Sequence, residues 1–523
     1  MKKLALLLAL CMVFTLALTG CQNDAGEPNA NDNPGQSQEN NDQENQNQSS
    51  GEARTDLHLS LTEVPSVLDP HYANLIVEQT LIAQLYESLL FIDENGIEHP
   101  SLATDYSISD DGLVYTFNLR QGVKFHNGEE LKASDVVFSI ERCRESARMY
   151  AYVEPIASAE ALDDYTVAIT LSYQYAPFIQ YAGALPIVNE KHVTEVGKDA
   201  MATDPCGTGP YMLKSFEPTL STSMTAFPDY WDGEAPIKEI DWKIISDTST
   251  TLIAFETGEL DYIAVPPANW EDVKASGKYT TELIDMNHTT FLIMNHEIAP
   301  FDNKLVRQAF NCAFNKDDMC LMARDGLASP AYTIANPNLV FGATDNTVIY
   351  EYDVEKAKAL LAEAGYPDGF DAGSIKTMAG YFEKVAQIAQ SNLAAIGVTV
   401  AVEMCESATY SSDCIAGNFG LAVMGVTLGT DFAMFDMLYA SQYINNLNLA
   451  RYNNPEVDEL FKQGVATTDK AEREAIYKQV IDTVQEDAVY APVFFGLSPV
   501  AHNSNLTAVF HGSTILFKEW SWK

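Results

Sequence analysis

From Asp56 to Lys523 strand-like and helix-like segments alternate with no low-complexity break, which argues for an α/β architecture built on open sheets. Residues 57–62 (LHLSLT) alternate as a first strand, and Leu81, Ile82, Leu85 and Leu89 follow at helical spacing. Residues 113–119 (LVYTFNL) read as a strand after an Asp110-Asp111-Gly112 turn, and Ser134-Asp135 can cap the helix through Val137 and Ile140. Later helices announce their ends. Asp353 caps a run that Gly365 stops, and Asn454-Pro455-Glu456 opens another with proline at its first position. Asp469 with Glu472 resembles a capping box ahead of an Ile476, Val480, Val484 stripe. There is no internal repeat.

The segment before Asp56 is of another kind. Lys2 and Lys3 precede an apolar run, Leu4 to Leu18, shorter than the roughly 20 residues that span a bilayer. Leu18-Thr19-Gly20-Cys21 closes it, and the whole resembles a bacterial lipoprotein signal. Residues 1–20 are then the signal peptide, and Cys21 carries the lipid. Residues 21–55 hold almost only Asn, Gln, Asp, Glu, Ser, Gly and Pro, and cannot bury enough surface to offset their ordering entropy. They read as a disordered tether reaching roughly 30–35 Å. No other stretch is long and apolar enough to cross a membrane, so the expected location is the outer face of the cytoplasmic membrane, held by lipid.

With 523 residues the chain exceeds what one core usually organises, and two or three domains are expected. The formal charge of -42, from 31 basic against 73 acidic residues, makes nucleic acid and anionic lipid poor partners. Beyond Cys21 six cysteines remain, none with C-x-x-C spacing. An extracellular setting permits disulfides, but a chain this large does not need them, so paired and unpaired readings stay open.

By residue 140 a family resemblance is specific. LDP at 68–70, LYESLLFIDENG at 85–96 and the stretch from PSLATDY at 100 to FSIER at 142 resemble the entry signature of the family 5 extracellular solute-binding proteins. GTGPYML at 207–213, DYWDGEAPIKEI at 229–240, FETGELD at 255–261, ALLAEAGYPDGF at 359–370 and RYNNPEVDEL at 451–460 continue it in the family's order. Each motif has a plain structural account as well. Asp-Gly and Asn-Gly pairs are hairpin turns, and GTGPY, lacking a Lys-Ser/Thr ending, reads as a glycine-permitted bend where the chain changes lobes.

The resemblance implies a two-lobed, type II periplasmic-binding-protein-like clamp of the large peptide-receptor class. The first lobe would combine 56–288 with 490–523 and carry an extra subdomain at 97–205; the second would be 289–489. Closure of the cleft would capture a peptide and present both lobes to ABC permease subunits, the receptor acting as a monomer without cofactor. First-lobe contacts would come from the loop after LDP, here His71, Tyr72 and Asn74. Second-lobe contacts would come from strand ends, at Tyr381 and in the segment after 422–426, where Thr427 and Asp431 lie. Relatives carry a Gly-Trp-x-x-Asp-like sequence there, whose aspartate holds a ligand amine. This chain reads Gly425-Val426-Thr427-Leu428-Gly429-Thr430-Asp431, without the tryptophan and with its aspartate two positions late. Asp431 is thus either the amine acceptor or the cap of a helix beginning near Phe432.

Catalysis has no support. His296-Glu297 is followed by Pro300 where a zinc helix needs a second histidine, no G-x-S-x-G elbow occurs, and the histidines are scattered with no metal site among them. A surface hydrolase is the alternative outside the binding class. Within that class the alternative is a receptor for a metal chelate, haem or another non-peptide solute.

Overall fold

The computed structural model describes residues 54–217, 219–341 and 349–523. The expected signal peptide, Cys21 and nearly all of the expected tether lie outside the described residues. Thr55–Lys523 form a single compact unit.

Strand Asp56–Leu61 pairs in parallel with Glu239–Ile244, at the edge of a four-stranded sheet completed by Ser221–Ala226 and Tyr211–Glu217. Its inward residues, Leu57, Leu59 and Leu61, meet helix Ile76–Leu85 and the C-terminal side chains Phe517 and Trp520 in one core. The helical spacing from Leu81 stops sooner than expected. Tyr86 turns extended, and Leu89 instead leads into strand Leu90–Ile92. A second four-stranded sheet, Ala103–Ile108, Val114–Leu119, Thr166–Leu171 and Ile156–Asp163, is antiparallel throughout and has its own core around Tyr115, Phe117 and Phe178. Gly112, at φ +69°, makes its first hairpin turn. Helix Ala133–Arg144 begins one residue before Ser134, and Asp135 accepts the Lys132 N–H from inside the first turn.

The largest sheet has seven strands in the order Tyr262–Ala264, Tyr490–Asn503, Tyr279–Met294, Leu421–Thr427, Asp371–Thr377, Thr399–Met404, with Ala328–Pro330 also paired to Tyr490–Asn503. Both faces are covered. Leu292, Leu421 and Val423 point into a core with Phe310, Phe314 and Ile375, while Phe291, Ile293 and Ala422 point into another with Phe432, Phe461 and Tyr477. Near-continuous burial along these strands follows, as for any strand enclosed on two sides. The two longest strands pair over almost their whole length, but Met286, Asn287 and His288 oppose Gly496 alone. Asn287 takes a left-handed φ of +50° there, which asparagine tolerates better than most residues.

Helix Val354–Glu363 is capped by Asp353, and Asn454 and Asp469 cap Pro455–Ala466 and Lys470–Glu486, each through its side-chain oxygen. The GTGPY stretch departs from its sequence reading. Neither Gly207 nor Gly209 needs positive φ. Backbone crowds them instead, because a Cβ on Gly207 would stand 1.9 Å from the Leu85 carbonyl oxygen. The six described cysteines are free, and five of them are buried. Among the described residues no helix is long and apolar enough to cross a membrane.

Candidate functional site

The loop after LDP is held from within. Asp69 and Arg142 form a buried ion pair, with Arg142 Nη1 donating to Asp69 Oδ1 at 2.8 Å. The same guanidinium nitrogen stands 2.8 Å from His71 Nδ1, so that nitrogen accepts and Nε2–H donates to the Pro186 carbonyl at 2.9 Å. His71 is fully buried, and its pKa falls to about 4, first through burial and then through the Arg142 charge. It is a neutral internal strut. Tyr72 and Asn74 stay at the surface: Arg142 and Lys198 lie over the Tyr72 ring, and the Asn74 amide donates to the Tyr72 carbonyl.

Tyr381 and Thr427 are brought together by a residue that the sequence reading does not single out. Thr427 ends its strand directly opposite His288, whose Nδ1 lies 3.0 Å from Thr427 Oγ1. Nε2 of the same ring lies 3.1 Å from the hydroxyl of Tyr381, the first residue of helix Tyr381–Ala394. Burial, and secondarily Arg324, lowers the His288 pKa to about 4. The Arg324 guanidinium stacks 4.8 Å from the Tyr381 ring centre. Gly425 leaves room for the imidazole, since a Cβ there would meet His288 Nε2 at 2.5 Å. The sequence signal for His288 is weak, a polar residue at the edge of the apolar run TTFLIM. For Arg324 it is a cation at a helix end just before Asp-Gly.

Asp431 is 3% exposed. One carboxylate oxygen accepts the Ala433 N–H at 2.8 Å and Arg473 Nη2 at 2.7 Å, and the other faces Arg473 Nη1 at 2.7 Å. The cap expected near Phe432 is therefore present, and both oxygens are occupied by protein. Five residues on, Asp436 is half-buried and has no cationic partner among the described residues. Burial raises its pKa to about 7, with the Tyr443 hydroxyl as its side-chain donor. Tyr175 and Tyr181, hydroxyls 3.0 Å apart, come to the same place from the 97–205 region. Around them Thr430 Oγ1 donates to Gln180 at 2.9 Å, Ala176 N–H to the Val465 carbonyl at 2.7 Å, and Val340 N–H to the Asn95 carbonyl at 2.9 Å. Elsewhere, a groove of about 790 Å³ beside Thr104, Arg120 and Asp163 involves none of these residues. Among the described residues no group of three or more His, Cys, Asp or Glu is arranged to hold a metal ion.

Comparison with known proteins gives this arrangement its context. Residues 98–446 match the family described as bacterial extracellular solute-binding proteins, family 5 Middle. The glutathione-binding protein GsiB of Salmonella paratyphi A is 30% identical over 463 residues, covering 84% of this chain and 89% of that protein. HbpA2 from Haemophilus parasuis superposes with a TM-score of 0.83 at 26% identity, over 90% of this chain and 100% of that one. DppA from Helicobacter pylori, solved with the peptide STSA, gives a TM-score of 0.68 at 29% identity, over 90% and 98%. The chain belongs to the bacterial extracellular solute-binding proteins, family 5, receptors that capture a solute outside the cytoplasm for an ABC-type importer.

Proposed function

We propose that this receptor captures a short peptide of glutathione-like size by closing two lobes over it. The observation that carries this reading is the 30% identity to a glutathione-binding protein along 84% of the chain, supported by the likeness to a peptide-bound DppA. In this reading residues 56–288 and 490–523 form the first lobe, with 97–205 as its extra subdomain, and 289–489 form the second. The interrupted pairing at 286–288 and Gly496 is the place where the paired strands can bend between them. Tyr72 and Asn74 line the first-lobe wall, and Tyr381 and Thr427 line the second. His71 and Asp431 act behind the walls, by holding the loops that carry them. The receptor binds without chemical change to its solute.

Isothermal calorimetry of the purified chain with glutathione and with Ser-Thr-Ser-Ala tests the reading. Saturable one-to-one binding of either is expected, with the peptide recovered intact. No heat from either peptide, or their hydrolysis, would reject it. The lipid anchor at Cys21 belongs to the same proposal, supported by the Leu18-Thr19-Gly20-Cys21 sequence ahead of a polar segment. Stable attachment needs more than one acyl chain. Cys21→Ser is expected to move the protein from the membrane fraction to the soluble one, and retention in the membrane would refute the anchor.

A further inference from the structure

A seam runs between the 97–205 region and residues 289–489, and most of what crosses it is uncharged. Ala176 N–H donates to the Val465 carbonyl at 2.7 Å, and Thr430 Oγ1 donates to Gln180 at 2.9 Å. The Gln180 amide donates in turn to the Gly96 carbonyl at 3.2 Å. Gly96 permits that close approach, because a Cβ there would stand 3.0 Å from the Thr430 carbonyl oxygen. The ion pair of Glu98 with Lys470 crosses the same seam and is open to water.

Asp436 stands at this seam without a counter-charge. It begins the short helix Asp436–Tyr439, and its half-buried carboxyl accepts from the Tyr443 hydroxyl on the following turn. Tyr175 and Tyr181 reach it from the other side, and Tyr152 packs on Tyr181 with ring centres 5.2 Å apart. Helix Lys470–Glu486 brings Tyr477 near, but its Arg473 is committed to Asp431 through two nitrogens. Helix Pro455–Ala466 brings Asp458, which is committed to Ser441. Among the described residues no cation balances the Asp436 carboxyl. Tyrosine hydroxyls can bond to it in either protonation state. They do not replace the water that an ionised carboxylate loses on burial. Parting the seam would withdraw Tyr175 and Tyr181 and give that water back.

We infer that Asp436 with the Tyr175–Tyr181 pair is a proton-dependent latch: the seam closes over the protonated carboxyl and is driven apart when that carboxyl ionises. The inference rests on the solute-capture reading above and adds a proton to it as a second ligand. Closure over the solute takes one proton from water onto Asp436, opening returns it, and no bond of the solute changes. The shut form holds this proton up to about pH 7, whereas a carboxyl in water releases it near 3.8. Affinity for the solute therefore falls as pH rises between those values, by no more than about fiftyfold from pH 5 to pH 7. Other groups titrate near neutrality, His511 among them, and comparison with a variant at Asp436 removes their share.

The test has two arms on the full chain. In the first, calorimetry measures binding of glutathione and of Ser-Thr-Ser-Ala at pH 5 and pH 7, on wild type and on Asp436→Asn. Wild type should bind about tenfold more weakly at pH 7, while Asp436→Asn should match wild type at pH 5 and change by less than about threefold. At pH 6, in buffers of different ionisation enthalpy, wild type should take up about one proton more per solute bound than the variant does. Asp436→Ser, which also lacks the carboxyl, should repeat the result. A pH dependence and a proton uptake that are equal in wild type and variants would overturn the latch. The second arm needs no solute. Amide hydrogen exchange at Ala176, corrected for the intrinsic effect of pH, should show protection that falls from pH 5 to pH 7 in wild type and not in Asp436→Asn. Equal behaviour of the two proteins, absence of protection included, would overturn the latch. Where neither peptide binds, the peptide reading is rejected, and the exchange result alone decides the latch.

Discussion

Asp436 shows how burial without a partner sets the behaviour of one residue. Its carboxyl faces Tyr443 on its own side and Tyr175 and Tyr181 from the 97–205 region; Tyr477 also feels its field, and among the described residues no cation offsets its burial. In the unfolded chain it ionises near the ordinary 3.8, whereas in the folded protein it holds its proton up to about 7. Stability therefore falls as pH rises from about 4 to about 7, and levels off above. Three pKa units set a ceiling of about 4 kcal/mol, and partial exposure brings the effect below that. Three histidines that burial keeps neutral work oppositely. His71, His126 and His288, all depressed to about 4, lose stability as pH falls below 6.5. The difference between wild type and Asp436→Asn isolates the carboxyl. The melting-temperature gain of Asp436→Asn over wild type should be larger at pH 8 than at pH 5, and a gain independent of pH would show that the group is not held protonated. None of this is legible in the sequence, where Asp436 is one acidic residue among 73. Two of the tyrosines around it, Tyr175 and Tyr181, lie more than 250 positions away, which no local pattern reveals.

At the scale of elements, the start of helix Lys470–Glu486 is tied to the turn at Phe432–Phe435 through Arg473 and Asp431. Both charges are nearly sealed from water, so each needs the other. Asn at 431 would keep the cap to Ala433 but leave the Arg473 charge uncompensated. Asp431→Asn should cost about 3–5 kcal/mol in chemical denaturation, and a loss below about 1 kcal/mol would show that the pair is not needed. Helix ends are the most legible feature of the chain, because Asp353, Asn454 and Asp469 each act within a few residues of themselves. The cap at Asp431 is legible for the same reason, while its partner, 42 residues away, is not. GTGPY shows the same limit. Two glycines flag an unusual backbone, but only the fold reveals that the need is room beside the Gln84 and Leu85 carbonyls rather than a special φ. Tyr381 and Thr427 can be named because strand ends gather ligands, whereas His288 and Arg324, which complete their cluster, come from two other elements.

Over the whole molecule, the contacts of Thr430 with Gln180 and of Ala176 with Val465 join the proposed extra subdomain to the proposed second lobe. In the clamp reading these are contacts of a shut state, and a ligand that binds only that state shifts the population toward it. A hundredfold excess over the dissociation constant also stabilises the fold by about 2.7 kcal/mol. The order of the motifs along the chain makes the architecture legible, since hairpin turns, caps and glycine positions are fixed locally. Ligand chemistry is less legible, because the second-lobe segment lacks the expected tryptophan and its aspartate is held by Arg473. Small-angle X-ray scattering of the full chain, with and without saturating glutathione, tests the clamp most directly. A closing clamp predicts a smaller radius of gyration when glutathione is bound; calorimetrically verified binding with an unchanged radius would contradict it.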